Sequence, residues 1–400
     1  MHFKRLTHAR LLGLIAGIAA VAFAGCSSGG LQETPLPGVQ SQPAAQQPAS
    51  NPSPDQTDVS DASSEGAAPV SETAKPSHAP AQSAPKPAKA QAQQAALRSV
   101  CRHPAEPGRR ECDAIVVARS LSACNRAAPY CASDLQAAYG LTQAARTNGK
   151  GVTVAVVDAY GYPNAASDLA VYRKRMGLPA CSASNRCLRT VNQTGRTAPL
   201  PKPNADSNDD WRLEEALDLD MVSAVCPNCK IVLVQANSNS DADLAAGVNA
   251  AAALGAVAIS NSYSGGEANA TDSAYAHGGR TITASAGNDP VGAKRPCSDG
   301  GVVCVGGTTL RASGRGWSEQ TWGKSQGTAI AAVADPKTGV ACYESAGGWQ
   351  VAGGTSVAAP IVAALFALGP STARTNASAW ISHHGTNRVT RAAAKLGLVK

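Results

Sequence analysis

Residues 151–158, GVTVAVVD, form an unbroken apolar run that ends in turn residues. A strand with one wet face would alternate polar and apolar positions. A run that does not alternate must be covered on both faces, as in the interior of a parallel sheet. The chain downstream repeats this demand. An amphipathic stretch follows at 164–176, then KIVLVQ at 230–235 predicts a second strand, 241–254 an Ala-rich helix, and AVAISN at 256–261 a third strand. Residues 280–286 and 302–305 continue the series, and 357–367 predicts a buried helix with an early proline, Pro360. Strands separated by helical stretches imply an α/β fold, a mainly parallel sheet with helices on both faces. In such sheets active residues gather at the carboxyl ends of the strands.

Upstream, the composition changes twice. Residues 1–25 begin with Lys4, Arg5 and Arg10, continue through an apolar stretch at 11–24, and predict an export signal too short to span a membrane comfortably. Phe23-Ala24-Gly25-Cys26 resembles a bacterial lipobox, with phenylalanine in place of the usual leucine. Lipidation of Cys26 would anchor the chain to a membrane through its lipid alone. A plain signal peptide with an incidental cysteine is the other reading. Residues 26–97 are Ala, Pro, Gln and Ser without apolar periodicity, the composition of a disordered linker. A Cys-containing extension is expected at 98–146, the main domain at 147–370 and a basic tail at 371–400. The extension reads either as a small disulfide-stapled unit or as a relic propeptide.

The formal net charge of +7 is spread out, and aromatic residues are only 4%, so nucleic acid is not an expected partner. Of twelve cysteines, Cys26 is set aside, and the rest fall in near pairs such as Cys181/Cys187 and Cys297/Cys304. This usage points to an oxidising compartment and leaves one thiol without a partner. Cys226-Pro-Asn-Cys229 reads as a structural disulfide, with half a zinc site or a redox pair as alternatives; no second CxxC or nearby histidine accompanies it.

Three short segments carry chemistry. Gly353-Gly354-Thr355-Ser356 places a serine at the start of the apolar helix, where small residues allow close approach and the helix end offers donors to a developing oxyanion. Residues 209–221, DDWRLEEALDLDM, put Glu214 and Asp218 at i and i+4 on one helix face, while Glu215 and Asp220 are expected on solvated faces. Residues 281–288 end an apolar strand in Gly287-Asn288, aiming an amide at the strand's carboxyl end. Taken singly, each has an ordinary reading: an N-cap, a surface face and a turn.

Together these segments, with VAVVDAY at 154–160 and ISNSY at 259–263, resemble the serine-carboxyl peptidases, or sedolisins, in their bacterial lipoprotein form. The resemblance runs from about residue 99 to 369. It implies a subtilisin-like fold and an exported endopeptidase in which Ser356 is the nucleophile, Glu214 the general base and Asp218 its partner. It also implies that Ser262, Tyr263, Ser264 and Gly265 form the strand that pairs with the substrate. Subtilases share the serine segment and the Gly-Asn turn, but no histidine occurs between Asp158 and Ser260 to serve as their base. Asp158 is therefore read as a structural strand-end residue.

Two features depart from the resemblance. Sedolisins carry an oxyanion aspartic acid where this chain has Asn288, and an amide donates without needing acid. Their calcium site follows the serine helix, yet no Asp or Glu occurs after Glu344, so no calcium or other cofactor is identifiable here. The expected partners are a polypeptide substrate and a membrane through the lipid, the expected state a monomer, and the expected location the cell envelope or, after release, the exterior. An inactive peptidase-fold lipoprotein that binds peptides or an envelope partner is the alternative from another class.

Overall fold

A computed structural model describes residues 96–101, 106–117, 129–204, 206, 209–265, 272–289, 293–323 and 328–399. The chain divides into two units, of which Met1–Lys86 lies outside the described residues and Pro87–Lys400 holds everything that follows. The expected export signal, Cys26 and nearly all of the 26–97 linker also lie outside them.

The apolar run becomes Thr153–Ala159, the central strand of an eight-stranded sheet. On one side it pairs in parallel with Lys230–Ala236, which pairs in parallel with Leu188–Asn192. On the other side come Ala258–Asn261, Thr281–Ser285 and Val303–Ser313, again all parallel. The last of these also takes Ile330–Val333 in parallel and turns into the antiparallel hairpin strand Gly316–Thr321. The chain thus starts at the centre and winds outward in both directions, which opens a crevice at the strand carboxyl ends where the direction reverses.

Two helices, Trp211–Val225 and Thr355–Leu368, pack against each other and the sheet. A third, Asp241–Ala253, lies on the central strands so closely that a Cβ at Gly247 would come within 2.8 Å of Val157 Cγ1. Every residue of Thr355–Leu368 is buried, as its apolar sequence demands. Pro360 has no N–H to give the Ser356 carbonyl, the helical acceptor four positions back; the Ser262 hydroxyl approaches that carbonyl at 3.5 Å instead. Beyond it the chain folds back as Ser371–Arg374, Ala377–His384 and Val389–Lys395, which bury Ala373, Ile381, Val389 and Ala392.

The 98–146 segment is threaded into this body. Leu97–Ser99 pairs with Ile115–Val117, which joins Gly348–Gly353 and Val340–Glu344 in a four-stranded antiparallel sheet. Glu111–Cys112 pairs antiparallel with Tyr263–Ser264. Disulfides join Cys101–Cys112, Cys181–Cys187, Cys226–Cys229 and Cys297–Cys304, and Cys131 is also bridged. Cys342 is the free, buried thiol among the described residues. Cys226–Cys229 is thus closed as a disulfide between two buried cysteines. No described helix is long and apolar enough to cross a membrane.

Candidate active site

Gly348–Gly353 delivers the chain to Gly354, whose φ of +90° only glycine adopts without strain, and the serine helix starts at once with Thr355. Ser356 is thereby held at the helix amino terminus, fully buried, with its hydroxyl donating to the Ser262 carbonyl at 3.1 Å. Glu214 and Asp218 reach the same place from one face of Trp211–Val225, as their spacing implies. Glu214 Oε2 accepts from the Ala114 N–H at 3.1 Å, while Oε1 is buried without a hydrogen-bond partner. Asp218 Oδ1 accepts from the Ser262 hydroxyl at 2.6 Å and Oδ2 is likewise unpartnered. The two carboxylates thus act on each other through charge, not through a shared hydrogen bond in this state.

That charge is confined. Burial, then Asp218, then Asp158 push the Glu214 carboxyl well above the usual range, and the nearby Ser356 hydroxyl pulls it part of the way back. Burial and Asp158 raise Asp218 in the same way, with Ser262 opposing. A carboxylate so raised holds a proton more tightly than an exposed one, the property required of any group that takes a proton from a hydroxyl.

Asp158 is more than a strand-end residue. It is fully buried, neither of its oxygens has a partner, and burial raises it to about 8. It contributes to the raised state of Glu214, Glu215 and Asp218. The expectation that Glu215 and Asp220 are solvated is also corrected. Both are buried; Glu215 accepts from Gln235 Nε2 at 2.8 Å, and Asp220 accepts from the Tyr343 N–H at 3.0 Å. The physical reason is that Trp211–Val225 is covered by the serine helix, by Ala165–Arg175 and Ala132–Ala138, and by Val340–Glu344, so it has no wet face.

Asn288 lies against the start of the serine helix. Its Oδ1 accepts the Thr355 N–H at 2.9 Å, which turns Nδ2 outward to donate to the Asp113 carbonyl at 2.7 Å. The amide's orientation is fixed by partners of opposite type at its two ends. The expected substrate strand, Ser262 to Gly265, borders the same crevice, but its members divide their work. Ser262 binds Asp218 through its hydroxyl, Tyr263 packs its ring at 6.2 Å from Trp211, and Ser264 bonds Asp113 Oδ1 at 2.9 Å. Gly265 is buried at a φ of +115° and ends the strand. The role of Ser262 and the entry of Asp113 were not visible in the sequence, because neither belongs to a local pattern. A calcium site of the sedolisin kind does not fit the helices after Leu368, which carry no carboxylate side chain.

The subtilase family model matches residues 203–395, a span that includes the acidic helix, Asn288 and Ser356. Among solved structures, the fold resembles Pseudomonas sedolisin, a serine-carboxyl proteinase complexed with two molecules of pseudo-iodotyrostatin. The TM-score is 0.52 at 20% identity, over 64% of this chain and 86% of that one. Fervidolysin from Fervidobacterium pennivorans, a keratinolytic enzyme related to subtilisin, also matches, with a TM-score of 0.42 at 20% identity over 58% of this chain and 38% of that one. No curated protein sequence matches the chain. The fold is subtilisin-like, a serine-peptidase architecture.

Proposed function

We propose that this subtilisin-like protein is an exported serine endopeptidase of the serine-carboxyl type, with Ser356 as nucleophile, Glu214 as general base, Asp218 as its partner and Asn288 as oxyanion donor. The observation that carries the reading is the meeting of Ser356 and Glu214 at a point where Asn288 Nδ2 donates to a peptide carbonyl at 2.7 Å. Glu214 Oε1, buried and unpartnered, is the atom that takes the Ser356 proton as the hydroxyl attacks. Oε2, bonded to a peptide N–H at 3.1 Å, shows that the same carboxyl also reaches the leaving nitrogen, and the protonated Glu214, turning its O–H toward that nitrogen, returns the proton there. An acyl-enzyme and water complete the cycle. Asp218 keeps the Glu214 carboxylate basic, and Ser262 holds Asp218 in place.

Because Asn288 donates at any ordinary pH, activity extends to higher pH than an aspartic acid at that position permits. The disulfides support an exported protein. Lipid anchoring through Cys26 at the cell envelope, a monomeric state and catalysis without a resident calcium complete the proposal. Purified protein and its Ser356→Ala variant, assayed on an unfolded protein substrate from acid to neutral pH, test it. Hydrolysis by the first and none by the second is expected; equal, null traces from two folded proteins would turn the reading to a peptide-binding lipoprotein.

A further inference from the structure

The crevice is filled by the chain's own residues 109–114. Glu111 and Cys112 pair antiparallel with Ser264 and Tyr263, and the Asp113 N–H donates to the Ser262 carbonyl at 3.3 Å, so the segment lies in extended register along the expected substrate strand. One peptide bond then falls on the machinery. The Asp113 carbonyl takes the Asn288 amide at 2.7 Å, and the next nitrogen, of Ala114, meets Glu214 at 3.1 Å. Gly354 makes room for this bond: a Cβ there would stand 1.9 Å from the Asp113 oxygen.

We propose that Asp113–Ala114 is the chain's own cleavage site and that the pocket beside it selects an aspartyl residue on the acyl side. This rests on the serine-peptidase reading and gives that site its substrate class.

The pocket is built for a short carboxyl. Asp113 is 1% exposed; its two oxygens accept from the Ser264 hydroxyl at 2.9 Å and the Ser285 hydroxyl at 2.5 Å. An aliphatic or a basic side chain would leave both hydroxyls without an acceptor in a dry site. The flanking positions are also read. Arg110 is buried against Asp241 and donates to the Arg295 carbonyl at 3.1 Å, and Glu111 pairs with Lys294 at 3.2 Å. Burial raises Asp113 to about 7, with Ser285 and Ser264 opposing it, Glu111 adding to it and Lys294 opposing it, so the pocket receives the acid most readily in its neutral form.

In the cleavage step Ser356 Oγ bonds to the Asp113 carbonyl carbon and its proton passes to Glu214. The bond to Ala114 breaks, and the proton leaves with that nitrogen as a new amino terminus. Water then frees Asp113 as a carboxylic acid and restores Ser356. No oxidant or further reactant is needed.

The test uses the full chain and its Ser356→Ala variant, incubated from acid to neutral pH and followed by intact mass and amino-terminal sequencing. The wild-type protein should acquire an amino terminus at Ala114, and the variant should stay whole. Peptides spanning residues 108–118, with serine at the Cys112 position, are then given to the processed enzyme with aspartate or with leucine at position 113. The leucine peptide should be cut at least about 100-fold more slowly. If the wild-type protein digests an unfolded substrate while its own Asp113–Ala114 bond stays intact, or cuts both peptides alike, this proposal falls and the peptidase reading stands. If a wild-type protein that is folded by circular dichroism hydrolyses nothing, the peptidase reading falls with it.

Discussion

Thr355–Leu368 and Trp211–Val225 pack on each other beneath one crevice, and both are buried along nearly their whole length. The first carries no charged side chain, and its burial is favourable by roughly 1.5–3 kcal/mol for each large apolar residue. It meets the crevice only with its end. The second carries Glu214, Glu215, Asp218 and Asp220 inside the protein and meets the crevice with a face. Buried carboxylates are tolerated when they are neutral or hydrogen-bonded. The acidic helix therefore draws on stability that the apolar helix and the sheet provide, and it holds carboxyls raised well above the range of an exposed carboxylate.

Exchanging the character of the two helices breaks the comparison most severely. Ala363→Asp, in the fully buried part of the serine helix, places a carboxyl where no donor has been arranged. It should cost about 4 kcal/mol or more and leave little folded protein, read by circular dichroism. Glu214→Gln keeps shape and removes the base. The fold should persist, and kcat should fall by on the order of 10⁴-fold.

The oxyanion side is next in size. Asn288→Ala should lower kcat by about 10²–10³-fold. Asn288→Asp should confine the remaining activity to acid, and an unmoved pH profile would refute the oxyanion role. Asp158, raised to about 8, is neutral on the acid side and raises Glu214 and Asp218 by its charge only once it ionises. Asp158→Asn should therefore leave the acid limb of kcat/KM in place and alter the profile only as pH rises toward 8.

Stability itself should depend on pH. Asp113 and Asp158 lie at about 7 and about 8 in the folded chain against an ordinary 3.8. Between those values the folded state binds more protons than the unfolded one, so stability is greatest on the acid side and declines as pH rises through 7 to 8. Thermal unfolding followed across that window should give a falling Tm, and Asp158→Asn should flatten the decline.

Much of this architecture is legible from local pattern. The unbroken apolar run, the Gly-Thr-Ser start of the serine helix and the i, i+4 carboxylates each declare themselves within a few residues, and the strands and helices they predict form where the periodicity sets them. What the sequence hides is set by distant contact. An acidic stretch reads as a wet helix face; only the covering of Trp211–Val225 from several sides makes Glu215 and Asp220 interior. Asp158 looks like a turn residue until its neighbours are known to be carboxylates. Asp113 has no motif at all, because the pairing that seats it is two residues long and its hydroxyl partners lie 151 and 172 positions away.

The Cys101–Cys112 bridge lies entirely upstream of the Asp113–Ala114 bond. Before the cut, the segment in the crevice is tethered, and its occupancy is indifferent to how much protein is present. After the cut, this bridge does not tie it to the enzyme, and it becomes a separate ligand whose hold obeys mass action. Dilution, which could do nothing to the uncut chain, would then be enough to wake the enzyme.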